Sequence, residues 1–62
     1  MSADEALARA EELLTRLEEV RARLEATEDS EGALDLLGEI AELARDAHAE
    51  IERAKREVDA SA

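Results

Sequence analysis

Hydrophobic residues recur along the chain in alternating steps of three and four, with one interruption around residues 27–30. The first half of the chain holds the series Ala3, Ala6, Ala10, Leu13, Leu17, Val20 and Leu24. The second half holds the series Ala33, Leu37, Ile40, Ala44, Ala47, Ile51, Ala54 and Val58. This spacing is typical of helices that pack along a seam, as in coiled coils. It predicts an all-α protein with helices over residues about 3–26 and about 30–59.

Polar residues mark where these helices begin. Ser2 followed three residues later by Glu5 matches the capping box. Asp29 or Ser30 suits the N-cap of the second helix. We therefore expect one domain over residues 1–62, with an acidic turn at about 27–30 and a frayed tail at 60–62.

Folding the chain back at this turn brings the two series into one register. Leu24 then faces Leu37, Val20 faces Ile40, and large residues meet small ones along most of the seam. Opposite charges on the outer edge are expected to pair Arg9 with Glu57 and Arg16 with Glu50. The prediction is an antiparallel two-helix hairpin of the coiled-coil type. Its main seam residues are Leu13, Leu17, Val20, Leu24, Leu37, Ile40, Ile51 and Val58.

A second set of aliphatic residues lies beside this seam and would stay in water if the hairpin stood alone. These residues are Leu7, Leu14, Leu34, Leu36, Ala41 and Leu43. A contiguous apolar patch on a small domain marks an interface. We therefore expect two hairpins to pair through these residues into a four-helix bundle homodimer.

The composition favours the same assembly. A chain of 62 residues buries too little surface for a comfortable core, and short scaffolds use disulfides, metals or partners instead. The absence of Cys leaves self-association as the simplest route. The net charge of −10 disfavours contact with nucleic-acid phosphates and with anionic membranes. No segment predicts a signal peptide or a membrane span, so we expect a cytoplasmic protein.

Few residues offer chemistry. The acidic stretch 26–38 contains Gly32 but lacks the final carboxylate of an EF-hand loop, so it is interpreted as a turn. His48 has Asp46 and Glu52 nearby, which leaves a His–carboxylate metal site as an alternative. No hydroxyl side chain has a His at helical spacing, and we predict no catalytic, cofactor-binding or metal-binding residues.

The chain resembles the small subunit of exonuclease VII over roughly residues 10–58. The similar residues are Leu17, Glu18, Glu19, Val20, Arg23, Leu24, Glu25, Leu34, Leu36, Leu43, Ala44, Ile51, Ala54 and Val58. The resemblance implies a short acidic helical hairpin that accompanies a larger catalytic subunit.

The leading hypothesis from the sequence is a non-catalytic hairpin that acts by protein–protein association, first with itself. An accessory subunit of an exonuclease VII-like nuclease is the alternative, in which the same stripe docks on a larger chain. A metal-binding bundle that uses His48 is the third hypothesis.

Overall fold

The protein is an antiparallel pair of long helices, as seen in a computed structural model that describes residues 2–61. Helix α1 spans Ala3–Ala26 and helix α2 spans Ser30–Ser61. The hairpin measures 49 × 14 × 13 Å, which is one helix in length and about two helices in cross-section. The predicted all-α hairpin is confirmed. Helix α2 extends through Ser61, beyond the predicted end at 59, and Ala62 lies outside the described residues.

Polar side chains form hydrogen bonds with free backbone groups at the start of α1 and on both sides of the turn. The Ser2 hydroxyl accepts a hydrogen bond from the Glu5 amide at 3.2 Å, which is the N-cap half of a capping box. The same hydroxyl donates to the Glu5 carboxylate at 3.2 Å. At the turn, the Thr27 hydroxyl donates to the Arg23 carbonyl at 2.7 Å. The Asp29 carboxylate accepts from the Gly32 amide at 2.7 Å, so Asp29 caps α2. The acidic turn is thus a short connection in which the turn's own side chains hydrogen-bond to the ends of the two helices.

Helix α1 presents the predicted residues to the seam. Ala6, Ala10 and Val20 are buried. Leu13, Leu17 and Leu24 are half-buried between them. The α1 half of the hairpin therefore follows the heptad pattern without a change of phase.

Helix α2 differs from the prediction by a rotation about its own axis. Its seam residues are Leu36, Ile40, Leu43, Ala47, Glu50 and Ala54, of which Ile40 and Leu43 are half-buried and the rest are buried. The predicted seam residues Leu37, Ile51 and Val58 are instead 50%, 39% and 58% exposed. Only Ile40 of the main α2 seam residues predicted from the sequence lies between the helices.

The rotation has a simple geometric origin. Ile40, Ala47 and Ala54 form a central column seven residues apart, and a heptad seam needs one further column beside it. Two columns could fill this place in the seam. One contains Leu36 and Leu43, and the other contains Leu37 and Ile51. Residues 36 and 37 lie about 100° apart around the helix, so only one column can face α1. The structure selects the column that contains Leu36.

The resulting core is small. Among the described residues, the buried hydrophobic side chains are Ala6, Ala10, Val20, Leu36, Ala47 and Ala54. The chain exposes 4605 Å², whereas a compact monomer of this mass exposes about 4000 Å². The hairpin alone therefore leaves more surface in water than a compact fold of the same size.

Gly38 lies within α2, and a methyl group at this position would meet no atom within 4 Å. We expect Gly38→Ala to raise the free energy of unfolding by about 1 kcal/mol, because Ala favours helix over Gly and nothing obstructs its side chain. Urea denaturation followed by circular dichroism at one fixed protein concentration measures the change.

Gly32→Ala is the matched control, because its Cβ would lie 2.9 Å from the Asp29 carboxylate that caps the helix. This variant should gain less stability than Gly38→Ala or lose some. A loss of stability in Gly38→Ala would contradict the open surroundings of that residue.

Candidate association surface

One side of the hairpin carries exposed aliphatic side chains from both helices. Each of these residues directly follows a buried or half-buried residue, as Leu7 follows Ala6 and Ile51 follows Glu50. Because the helices run in opposite directions, the residue after a seam position lies on the same side of the hairpin in both. We call this side the apolar face. Its large residues, which are 39–67% exposed, are Leu7, Leu14, Leu34, Leu37, Ile51 and Val58.

The apolar face and the predicted self-association surface overlap in part. Leu7, Leu14 and Leu34 lie on it as expected, and Ala41 is exposed at its edge. Leu36 is buried and Leu43 is half-buried, so both belong to the seam of the single hairpin.

Leu37, Ile51 and Val58 take the places of Leu36 and Leu43 on this face, because α2 is rotated from its predicted phase. The same seven-residue spacing had indicated that these three residues are apolar helix positions. That signal did not distinguish the seam from the face beside it.

The opposite side of the hairpin is charged. Arg9, Arg16 and Arg23, each seven residues apart on α1, line two grooves there together with acidic residues of α2. Arg9 Nε lies 3.9 Å from Glu50 Oε2, so the observed cross-helix pair differs from the predicted Arg9–Glu57 and Arg16–Glu50 pairs. Charges from both helices solvate this side of the hairpin. The apolar face carries a charged side chain between its edges, Arg21, which lies seven residues after Leu14.

Glu50 is the one buried charged residue among those described, at 6% exposure. It occupies a seam position and its Oε1 lies 3.3 Å from an Arg53 guanidinium nitrogen. Its Oε2 is buried without a hydrogen bond, although Arg9 lies 3.9 Å away. A buried ion pair of this kind contributes little net stability, because desolvation of the charges offsets their attraction.

The two edges of the apolar face carry different charges. On α1 the edge is an acidic column of Asp4, Glu11, Glu18 and Glu25. Arg21 contacts the last two: its Nε donates to Glu18 at 2.7 Å and its guanidinium also binds Glu25. The hydrogen bond and charge of Glu18, with the charge of Glu25, raise the pKa of Arg21 above its usual value. On α2 the edge is a column of Leu34, Ala41, His48 and Lys55.

His48 is exposed on this edge, with Nε2 3.9 Å from Glu52 Oε1. Within residues 2–61, no group of three or more His, Asp or Glu side chains is arranged to hold a metal ion. In the same part of the chain, neither helix combines the length and the apolar character needed to cross a membrane.

Comparisons with known protein families, with curated proteins and with solved structures found no match to this chain. The resemblance to the exonuclease VII small subunit stays a prediction from the residues that carry it.

Replacing Glu50 with Met tests the energetics of the seam. We expect Glu50→Met to raise the free energy of unfolding by about 1–2 kcal/mol, because an unbranched apolar side chain replaces a buried carboxylate. Arg9 and Arg53, whose side chains are 56% and 41% exposed, remain able to extend into water. Thermal and urea denaturation measure the change.

Glu42→Met is the matched control, since Glu42 is exposed on the same helix and the change in charge is identical. It should change stability by less than about 0.5 kcal/mol. A lower stability of Glu50→Met than of the parent would mean that the ion pair is a net stabilising contact.

Proposed function

We propose that this protein is a non-catalytic helical hairpin that acts by protein–protein association, first with a second copy of itself. The observation that carries the proposal is the apolar face, on which six large aliphatic side chains are at least 39% exposed. Burying a Leu or Ile side chain contributes about 1.5–3 kcal/mol. A partner that covers this face therefore supplies the apolar burial that the small seam lacks.

The dimensions of the hairpin support an interface of ordinary size. Helix α1 has 24 residues, so at about 1.5 Å per residue it is about 36 Å long. Two helices about 10 Å apart present a face of roughly 700 Å² along that length. A stable interface buries about 800 Å² per partner. Pairing of two such faces gives a four-helix bundle with a continuous apolar core.

The distribution of charge also supports association through this face. The remaining surface of the hairpin is acidic, in keeping with the net charge of −10, and on the charged face Arg16 and Arg23 line a groove with acids of α2. Like-charged outer surfaces repel one another and disfavour open-ended aggregation. A discrete oligomer formed through the apolar face is the expected product.

Replacing leucines of the apolar face tests the proposal. Sedimentation equilibrium over about a hundredfold range of concentration should give a helical dimer for the parent chain. The double variant Leu7→Gln with Leu14→Gln should weaken dimerisation at least about a hundredfold, because a dimer loses four partly exposed leucines from its interface. Circular dichroism shows whether the helices persist.

The matched control replaces the next residue at each position, Ala8→Gln with Thr15→Gln. Both residues are exposed and point away from the apolar face. This control should dimerise as the parent does. A parent chain that is a helical monomer at every concentration would overturn self-association.

A further inference from the structure

We propose that the second copy binds with its turn at the same end of the bundle, so that α1 of each hairpin lies along α2 of its partner. This inference rests on the proposed self-association and specifies its geometry. Two apolar faces can meet about a two-fold axis parallel to the helices or about one across them. The charges along the two edges of the face distinguish these arrangements.

Arg9 Nε lies 3.9 Å from Glu50 Oε2, which places these two residues at about the same height along the hairpin. Asp4 lies five residues before Arg9 and Lys55 lies five residues after Glu50, so Asp4 and Lys55 are at one height. Glu11 and His48 are level by the same count. A two-fold axis parallel to the helices preserves height, so it sets Asp4 beside Lys55 of the other copy and Glu11 beside its His48.

The other residues along the two edges are also compatible with this arrangement. Glu18 and Glu25 share heights with Ala41 and Leu34 of the α2 edge, which offer no positive charge. These two carboxylates already bind Arg21 within their own helix. The acids without Arg21 thus meet basic residues, and the acids bound to Arg21 meet apolar residues.

Lys55 retains the capacity for a further acceptor. Its Nζ lies 3.7 Å from Glu52 Oε1 in its own helix. An ammonium group has three donors, so a carboxylate from the other copy can bind beside Glu52.

The competing arrangement places like charges together. With the two-fold axis across the helices, α1 lies against α1 and the turns point to opposite ends. The acidic column of one copy then runs along the acidic column of the other. Repulsion between like charges across the interface disfavours that arrangement. The charges therefore favour one of two dimers whose apolar contacts are otherwise similar.

A distance between the two turns tests the arrangement. The chain has no Cys, so Glu28→Cys, at an exposed turn position, accepts a single nitroxide label. Pulsed electron–electron double resonance is measured on a sample that sedimentation shows to be a dimer. Turns at the same end predict a label separation below about 30 Å, from helices packed about 10 Å apart plus the two label arms.

A separation of about 40 Å would overturn the proposed arrangement, because opposed turns lie about 28 helical residues apart along the bundle. A mixture of both distances would also overturn it. Neither result affects self-association, which fails only if the chain is a monomer.

Charge reversal gives an independent test in sedimentation equilibrium. Lys55→Glu should raise the dissociation constant of the dimer about tenfold, because two symmetry-related contacts change from attraction to repulsion. Arg56→Glu is the matched control, with the same change of charge at an exposed position away from the edge, and should have less than a twofold effect. Adding Asp4→Lys to Lys55→Glu should restore dimerisation.

Equal effects of Lys55→Glu and Arg56→Glu would overturn the arrangement, because the effect would then depend on net charge alone. Failure of Asp4→Lys to restore dimerisation would do the same.

Discussion

Helix α2 has one more apolar column than a two-helix hairpin can bury, and the rest of the structure depends on that constraint. The column of Ile40, Ala47 and Ala54 faces α1, with Leu36 and Leu43 beside it. The column of Leu37 and Ile51 is therefore exposed to solvent. A single partner helix covers only a limited arc of α2, so no rotation of the helix removes the excess.

The choice of column has consequences at both ends of the hairpin. Near the turn it brings Leu36 and Leu43 into the seam, where they supply most of the large apolar volume contributed by α2. Near the termini it brings Glu50 into the seam, against Ala-rich stretches of both helices. The seam is thus apolar near the turn and carries a buried charge farther along. Arg9 of α1 lies 3.9 Å from that carboxylate and Arg53 of α2 lies 3.3 Å from it.

The same choice separates the surface into two unlike sides. Arginines of α1 and acids of α2 cover one side, and aliphatic residues cover the other, with acids along one edge and basic residues near the end of the opposite edge. A hairpin of this kind has the features of half a four-helix bundle: an incomplete core, one apolar side and charged edges that can distinguish partners. The proposed dimer follows from those features taken together.

The sequence by itself determined the two helices, the Ser2 cap of α1, the turn and the α1 side of the seam. Heptad spacing and capping residues are local signals, and local hydrogen bonds are sufficient to satisfy them. Tertiary structure alone decided which column of α2 faces α1. Leu36 and Leu37 satisfy the same periodicity, so the pattern cannot tell which of them faces α1. For that reason it placed Leu36 and Leu43 on the apolar face, where the structure has Leu37, Ile51 and Val58. That selection depends on how side chains of two helices fit across the seam, including the contact of Arg9 with Glu50. Periodicity within one helix carries no information about that fit.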